Sequence, residues 1–159
     1  MIDSNKAEKV IKAFAKEGLT LGAIESLTGG LFSSSMCSIA GASKVFRGGI
    51  VTYATSLKTK LDDVPEELIK KYGVVSKEVA NSMAINGRKT LDVDVCVSFT
   101  GNAGPSKEEG AAPVGRVNMC IATKYGVLEM QQDFHMGRNE LREACVDMML
   151  DRLIAIFED

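Results

Sequence analysis

The chain has 159 residues, 45% of them apolar, with 19 basic against 21 acidic side chains and a formal net charge of −2. That length suits a single domain with a conventional core, and the near-balanced charge lacks the basic footprint of a nucleic-acid binder. No apolar run approaches the roughly 20 residues of a membrane span, and the polar start Met1 to Lys6 has no signal-peptide core, so the expectation is a cytoplasmic protein without membrane or nucleic-acid partners.

Ala7, Val10, Ile11 and Phe14 recur at helical spacing from Ser4 to Glu17, and Gly18 closes that helix. Leu21 to Ile24 reads as a short buried strand that runs into Glu25-Ser26-Leu27-Thr28-Gly29-Gly30, with a second helix starting near Ser26 or Thr28 and continuing to Ile39. Val45 to Tyr53 is a second strand, and its Gly48-Gly49 pair predicts a bulge or a close backbone crossing. Short helices follow over Ser56 to Leu61 and, after Pro65, over Glu66 to Tyr72. Ser76 caps a helix through Lys89 that packs with Val79, Met83 and Ile85. The continuous apolar run Val93 to Phe99 suits a central strand covered on both faces. Residues 101 to 113 form a loop, Val114 to Thr123 and Val127 to Phe134 pair as a hairpin, and Arg138 to Phe157 makes the last helix.

Helices alternating with strands and then a closing hairpin predict an α/β fold, a three-layer α/β/α sandwich around a mixed central sheet, over residues 1–159 as one domain. Cys37, Cys96, Cys120 and Cys145 lie in apolar stretches without CxxC spacing, so they read as reduced core residues and no metal site is expected. His135, the one histidine, stands at the end of a predicted strand, where a surface or edge position is expected.

Three turns follow predicted strands, at Ser26 to Gly30, at Thr52-Tyr53 leading to Lys58, and at Thr100-Gly101-Asn102-Ala103-Gly104-Pro105. In an open α/β sheet, ligands collect at the carboxyl ends of strands, so the three could share a pocket. No dinucleotide or phosphate-loop fingerprint is present. Ser26 sits where a nucleophile would sit, although an N-cap role for Ser26 or Thr28 is the commoner meaning of such a pattern. A hydrolase with neither a histidine base nor a metal needs another proton acceptor, and a lysine serves when burial lowers its proton affinity. Lys58, just past the strand that ends in Tyr53, is the candidate, with the tyrosine hydroxyl available to orient the amine. The plainer alternatives are a solvated helix lysine, a half-buried strand tyrosine and an ordinary turn over Thr100 to Pro105.

Five motifs occur in order: Glu25-Ser26-x-Thr28-Gly29-Gly30; Phe46-x-Gly48-Gly49-x-Val51-x-Tyr53 with Lys58 after it; Gly73-Val74-Val75-Ser76; Thr100-Gly101-x-Ala103-Gly104-Pro105; and Pro113-Val114-Gly115. Together they resemble the CinA C-terminal domain family, the nicotinamide mononucleotide deamidases, over about residues 5 to 157. Larger members of that family carry an additional N-terminal domain that these residues do not contain. The resemblance implies cofactor-free hydrolysis of a small-molecule pyridine nucleotide, from nicotinamide mononucleotide to nicotinate mononucleotide and ammonia, in a homo-oligomer. It implies Ser26 as nucleophile with Tyr53 and Lys58 as its activating partners, and Thr28, Gly29, Gly30, Thr100, Gly101, Gly104 and Arg138 as substrate-binding residues. Thr28 then becomes the expected cap beside Ser26, and Arg138 could add a charged contact across a subunit boundary.

The chain also departs from the family pattern. Ser106-Lys107-Glu108-Glu109 stands where glycines are usual, Asn102 where an apolar residue is usual, and Arg116 where a small hydroxyl residue is common. Met136-Gly137-Arg138 replaces the usual Gly-Asp-Arg. These changes fall in expected ligand loops and bear on substrate identity more than on amide hydrolysis. They also keep open a second reading, a catalytically silent nucleotide-binding or regulatory module of the same fold.

Overall fold

The computed structural model describes residues 2–107 and 109–158, so Glu108 in the altered loop lies outside the described residues. Helix α1 (Ser4–Glu17) leads into β1 (Leu21–Glu25), α2 (Leu31–Cys37), a single 3-10 turn at Ala42–Lys44 and β2 (Phe46–Val51). Then come α3 (Thr55–Asp62), α4 (Glu66–Tyr72), α5 (Lys77–Leu91), β3 (Val95–Gly101), the hairpin β4 (Arg116–Thr123) and β5 (Gly126–Asp133), and α6 (Arg138–Phe157). The strands form one sheet in the order β2-β1-β3-β4-β5, parallel among the first three and antiparallel from β3 onward. The expected mixed sheet is therefore present, with α1, α2 and α6 packed together on one face and α3, α4 and α5 on the other.

Side-chain alternation along the central strands sorts residues into two cores, because successive Cβ atoms point to opposite faces. Val95, Val97 and Phe99 of β3 and Val117, Met119 and Ile121 of β4 join Phe14, Phe32, Leu141 and Met149 on the first face. On the second face, Ile24 and Cys96 meet Val79 and Met83 of α5 with Val64, while Cys120 and Ala122 meet Ala80 and Ala84. Each large side chain buried this way contributes about 1.5–3 kcal/mol. Ile85, expected in this contact, is 44% exposed, because the stripe that α5 turns to the sheet is Ala80, Met83, Ala84 and Gly87. Cys37 is also exposed, at the outer end of α2, so three of the four cysteines are core residues and the fourth is not.

The double glycine of β2 serves both of its expected purposes. Leu21 pairs with Phe46 but Gly22 pairs with Gly48, so Arg47 is the extra residue of a bulge. At Gly49 a Cβ would collide with the Ser33 hydroxyl, so glycine lets α2 lie close against the strand. This sets the N-terminus of α2 beside the carboxyl ends of β1 and β2. Those ends, with that of β3, point the same way because the three strands are parallel, and the candidate site lies there.

Candidate active site

Helix α2 begins at Leu31, later than the sequence pattern suggests, and neither Ser26 nor Thr28 caps it. The cap is the wholly buried Glu25, the last residue of β1. Its carboxylate accepts the Phe32 and Ser33 N–H groups, both at 3.0 Å, and the Ser33 hydroxyl at 2.6 Å. A carboxylate in that place satisfies otherwise unpaired helix N–H groups and complements the helix dipole. Residues 26 to 30 form the tight turn between, and Gly29 (φ 58°) and Gly30 (φ 99°) adopt left-handed backbone that glycine takes without a Cβ penalty. The Gly29 N–H donates to the Ser26 carbonyl at 3.0 Å. Arg142 of α6 fixes the turn from outside, donating from Nε to the Leu27 carbonyl at 2.8 Å and from Nη2 to the Thr28 carbonyl at 3.0 Å. The Thr28 Oγ1 is buried with no hydrogen-bond partner among the described residues.

Ser26 is thereby left free of capping duty, and its hydroxyl meets Lys58. Lys58 Nζ donates to Ser26 Oγ at 2.8 Å, to the Thr52 carbonyl at 2.6 Å and to the Tyr53 carbonyl at 3.5 Å. Far from being a solvated helix lysine, Lys58 is 1% exposed. Burial pushes its ammonium down from 10.5 to about 8, against the opposing pull of the Asp62 charge one helical turn on. The same burial pushes the Asp62 carboxyl up to about 6, with the Thr52 hydroxyl and Lys58 opposing.

Tyr53 does not orient the amine through its hydroxyl. Its side chain is 59% exposed, and the phenol oxygen accepts from Arg138 Nη2 at 2.8 Å, while only its backbone carbonyl faces Lys58. Arg138 also donates from Nη1 to the Gly104 carbonyl at 2.7 Å, so it ties two loops of its own chain together at the mouth of the site. Thr100, at the end of β3, donates its hydroxyl to the Val74 carbonyl at 2.9 Å.

Ser26, Tyr53, Lys58, Thr100, Gly101 and Arg138 line one cavity of about 200 Å³, with Leu27, Val74, Val75 and Ala103 as its apolar wall. It adjoins a groove of about 690 Å³ that Gly101, Asn102, Lys107 and Arg116 border and that Tyr72 and Val74 flank. Thr28, Gly29, Gly30 and Gly104 line neither space, although the Gly104 carbonyl anchors Arg138 at the rim. The Gly104 N–H is taken by Asn102 Oδ1 at 3.0 Å. His135 is exposed, as its position at a strand end implied.

Sequence reasoning missed Glu25, Asp62 and Arg142. Two of them carried a spacing signal: Asp62 stands four residues after Lys58 and Arg142 four after Arg138, which places each pair on one helix face.

The arrangement is a buried serine hydroxyl against a buried amine whose charge is only weakly held, next to a small half-apolar cavity that opens to a larger groove. That can move a proton from the hydroxyl to the amine as the oxygen attacks an electrophile. Comparisons with known proteins agree on the fold and on the kind of chain. A family model, the CinA C-terminal domain, matches residues 3–157. A CinA-like protein of Prochlorococcus marinus subsp. pastoris is 43% identical over 97% of this chain and 37% of its own length. A putative competence-damage inducible protein of Limosilactobacillus fermentum is 48% identical over 74% of this chain and 28% of its own. The chain thus spans about a third of the length of these curated relatives. Among solved structures, a competence/damage inducible protein from Agrobacterium tumefaciens superposes with a TM-score of 0.93 at 32% identity, covering 98% of both chains. One from Enterobacter asburiae superposes at 0.95 with 22% identity over 99% of both, a likeness of fold.

Proposed function

The chain belongs to the CinA C-terminal domain family, and we propose that it is an amidohydrolase that deamidates nicotinamide mononucleotide with Ser26 as nucleophile and Lys58 as base. The observation that carries this reading is the 2.8 Å contact between Lys58 Nζ and Ser26 Oγ inside the cavity. Two carbonyls, of Thr52 and Tyr53, hold two of the amine's hydrogens. A neutral amine held in that way turns its lone pair toward the serine hydroxyl, which is the geometry of a general base.

In the proposed cycle, Lys58 accepts the Ser26 proton as Oγ bonds to the carboxamide carbon. The turn expected to hold the oxyanion, Thr28 to Gly30, lines neither the cavity nor the groove, so the cycle rests on Ser26 and Lys58. Lys58 then returns its proton to the nitrogen, the C–N bond breaks, and ammonia leaves a pyridine-carboxylate ester on Ser26. A water molecule gives a proton to Lys58 and attacks the ester carbon, and the Ser26 oxygen leaves with that proton as nicotinate mononucleotide is released. The cavity of about 200 Å³ suits the pyridine ring and its amide, while the ribose phosphate extends into the adjoining groove toward Lys107 and Arg116. Arg138 and Tyr53 close the mouth between them.

Because the base works only when neutral, turnover should fall as the pH drops through the Lys58 value of about 8. Initial rates of ammonia release at saturating and limiting substrate between pH 6 and 10 test this. The expected kcat/KM near pH 6 is about 100-fold below its alkaline plateau, tenfold per unit. A profile flat across that range would remove Lys58 from the role.

A catalytically silent nucleotide-binding or regulatory module is the second reading, and the loop after β3 favours it. There the Asn102 side chain occupies the Gly104 N–H, and Arg116 spends its guanidinium on Asp133 at 2.9 and 3.1 Å.

A further inference from the structure

The buried carboxylate of Asp62 has no part in the cycle above, and its surroundings call for one. Lys58 and Asp62 lie one turn apart on α3 with 1% and 2% exposure. A charge removed from water needs a partner, yet the two side chains form no direct hydrogen bond or ion pair. Thr52 connects them instead. Its hydroxyl donates to Asp62 Oδ2 at 2.5 Å, and its carbonyl accepts from Lys58 Nζ at 2.6 Å. The other carboxylate oxygen, Oδ1, is buried with no hydrogen-bond partner among the described residues. Glu25, which caps a helix, is satisfied at both carboxylate oxygens, whereas Asp62 is satisfied at one and calls for an explanation beyond packing.

We propose that Asp62 is a positioning residue for Lys58, holding through Thr52 the carbonyl that orients the amine and supplying the negative charge that keeps the amine basic enough to accept the Ser26 proton. The proposal rests on the reading of Lys58 as the base.

Few other charges share the environment. Asp63 follows on the same helix end, and the Cys96 thiol of β3 is held neutral by burial, with the Asp62 charge adding to that. On this face of the sheet α5 contributes the apolar Val79 and Met83, in one buried cluster with Val64 and Cys96. Tyr53 and Arg138 stand at the outer mouth. Burial drives the Lys58 proton off and makes the amine a weaker acceptor; the Asp62 charge opposes that. Because burial also raises Asp62, to about 6, the carboxylate is ionised where the base must work and is lost in acid.

The test follows the Lys58 Cε signal of the intact protein, labelled with ε-carbon-13 lysine and assigned by its loss in Lys58→Met, through a pH titration by NMR. Asp62→Asn keeps the shape and can still accept from Thr52 but removes the charge, so the Lys58 midpoint should move down by about one pH unit. The acid limb of ammonia release should move with it, kcat changing more than KM, and Asp62→Glu should restore the midpoint in part. In the wild-type protein the same signal should show a second, smaller inflection near pH 6 as Asp62 ionises, which decides the matter even if the asparagine variant does not fold. An unmoved midpoint in a folded Asp62→Asn protein, or a single inflection in the wild type, would overturn the proposal. A protein that releases no ammonia but whose Lys58 midpoint moves would instead refute the amidase reading and leave the Asp62 assignment standing.

Discussion

Ser26→Ala is expected to lower ammonia release from nicotinamide mononucleotide by about 10⁴-fold or more, the scale on which removal of a serine nucleophile acts. The substitution removes one oxygen from a site that is otherwise retained. Lys58 keeps the Thr52 and Tyr53 carbonyls, Arg142 keeps its hold on the Leu27 and Thr28 carbonyls, and Glu25 still caps α2. The structural cost is one hydrogen bond, about 1 kcal/mol. The ligand should therefore still raise the melting temperature of the alanine variant as it does that of the parent. Turnover within tenfold of the parent would show that another group attacks the amide.

Lys58→Met is expected to be nearly as damaging to turnover, by about 10³-fold, while changing stability in a way that identifies the lysine. In the parent, the Lys58 value is depressed on folding, from 10.5 to about 8. Between those values the unfolded chain binds a proton that the folded chain does not, so the parent gains stability as pH rises across the window. The penalty is therefore complete below about 8 and relieved toward 10.5, on the order of 3 kcal/mol in all. The methionine variant carries no such group. Urea unfolding of both proteins at pH 7.5 and pH 10 should show the parent gaining on the variant at the higher pH, all other titrations being common to the two. A difference that does not change with pH would mean that Lys58 is solvated or paired in the fold.

The parts of the fold that the sequence displayed were those where one physical signal dominated. The buried run of β3, the amphipathic stripes of α1 and α6 and the two-residue turn Lys124-Tyr125 between β4 and β5 each follow from periodicity and turn chemistry. The end of the loop before β4 was harder. Val114 continues the apolar pattern of the strand, but Gly115 takes φ 92° and pairs with Phe134, so the ladder starts at Arg116. Capping misled for a similar reason. Ser26 and Thr28 have the chemistry of caps, whereas the cap is a strand residue, Glu25, whose side chain reaches the helix across an intervening turn.

In the candidate site, the three strand ends predicted to converge do so, and Ser26 and Lys58 are in contact although 32 residues apart. Tyr53 and Arg138 also reach this cavity, but they bond to each other across its mouth and not to the amine. What the sequence could not reveal was burial of charge. Leu61-Asp62-Asp63 reads as a solvated helix end, and only the packing of α3 against α5 and the sheet puts the first aspartate inside while Asp63 takes a left-handed terminus at φ 55°. The spacing of Arg142 four residues after Arg138 placed it on the same helix face but did not show the Leu27 and Thr28 carbonyls that it meets.

The most direct measurement is ammonia release from nicotinamide mononucleotide by the purified protein near pH 8.5, with the pyridine nucleotide product identified in the same reaction. Ammonia and nicotinate mononucleotide in equal amounts, with both signals absent in Ser26→Ala, are the predicted result. No ammonia from a protein whose melting temperature the nucleotide nevertheless raises would contradict it and identify the domain as a nucleotide-binding module.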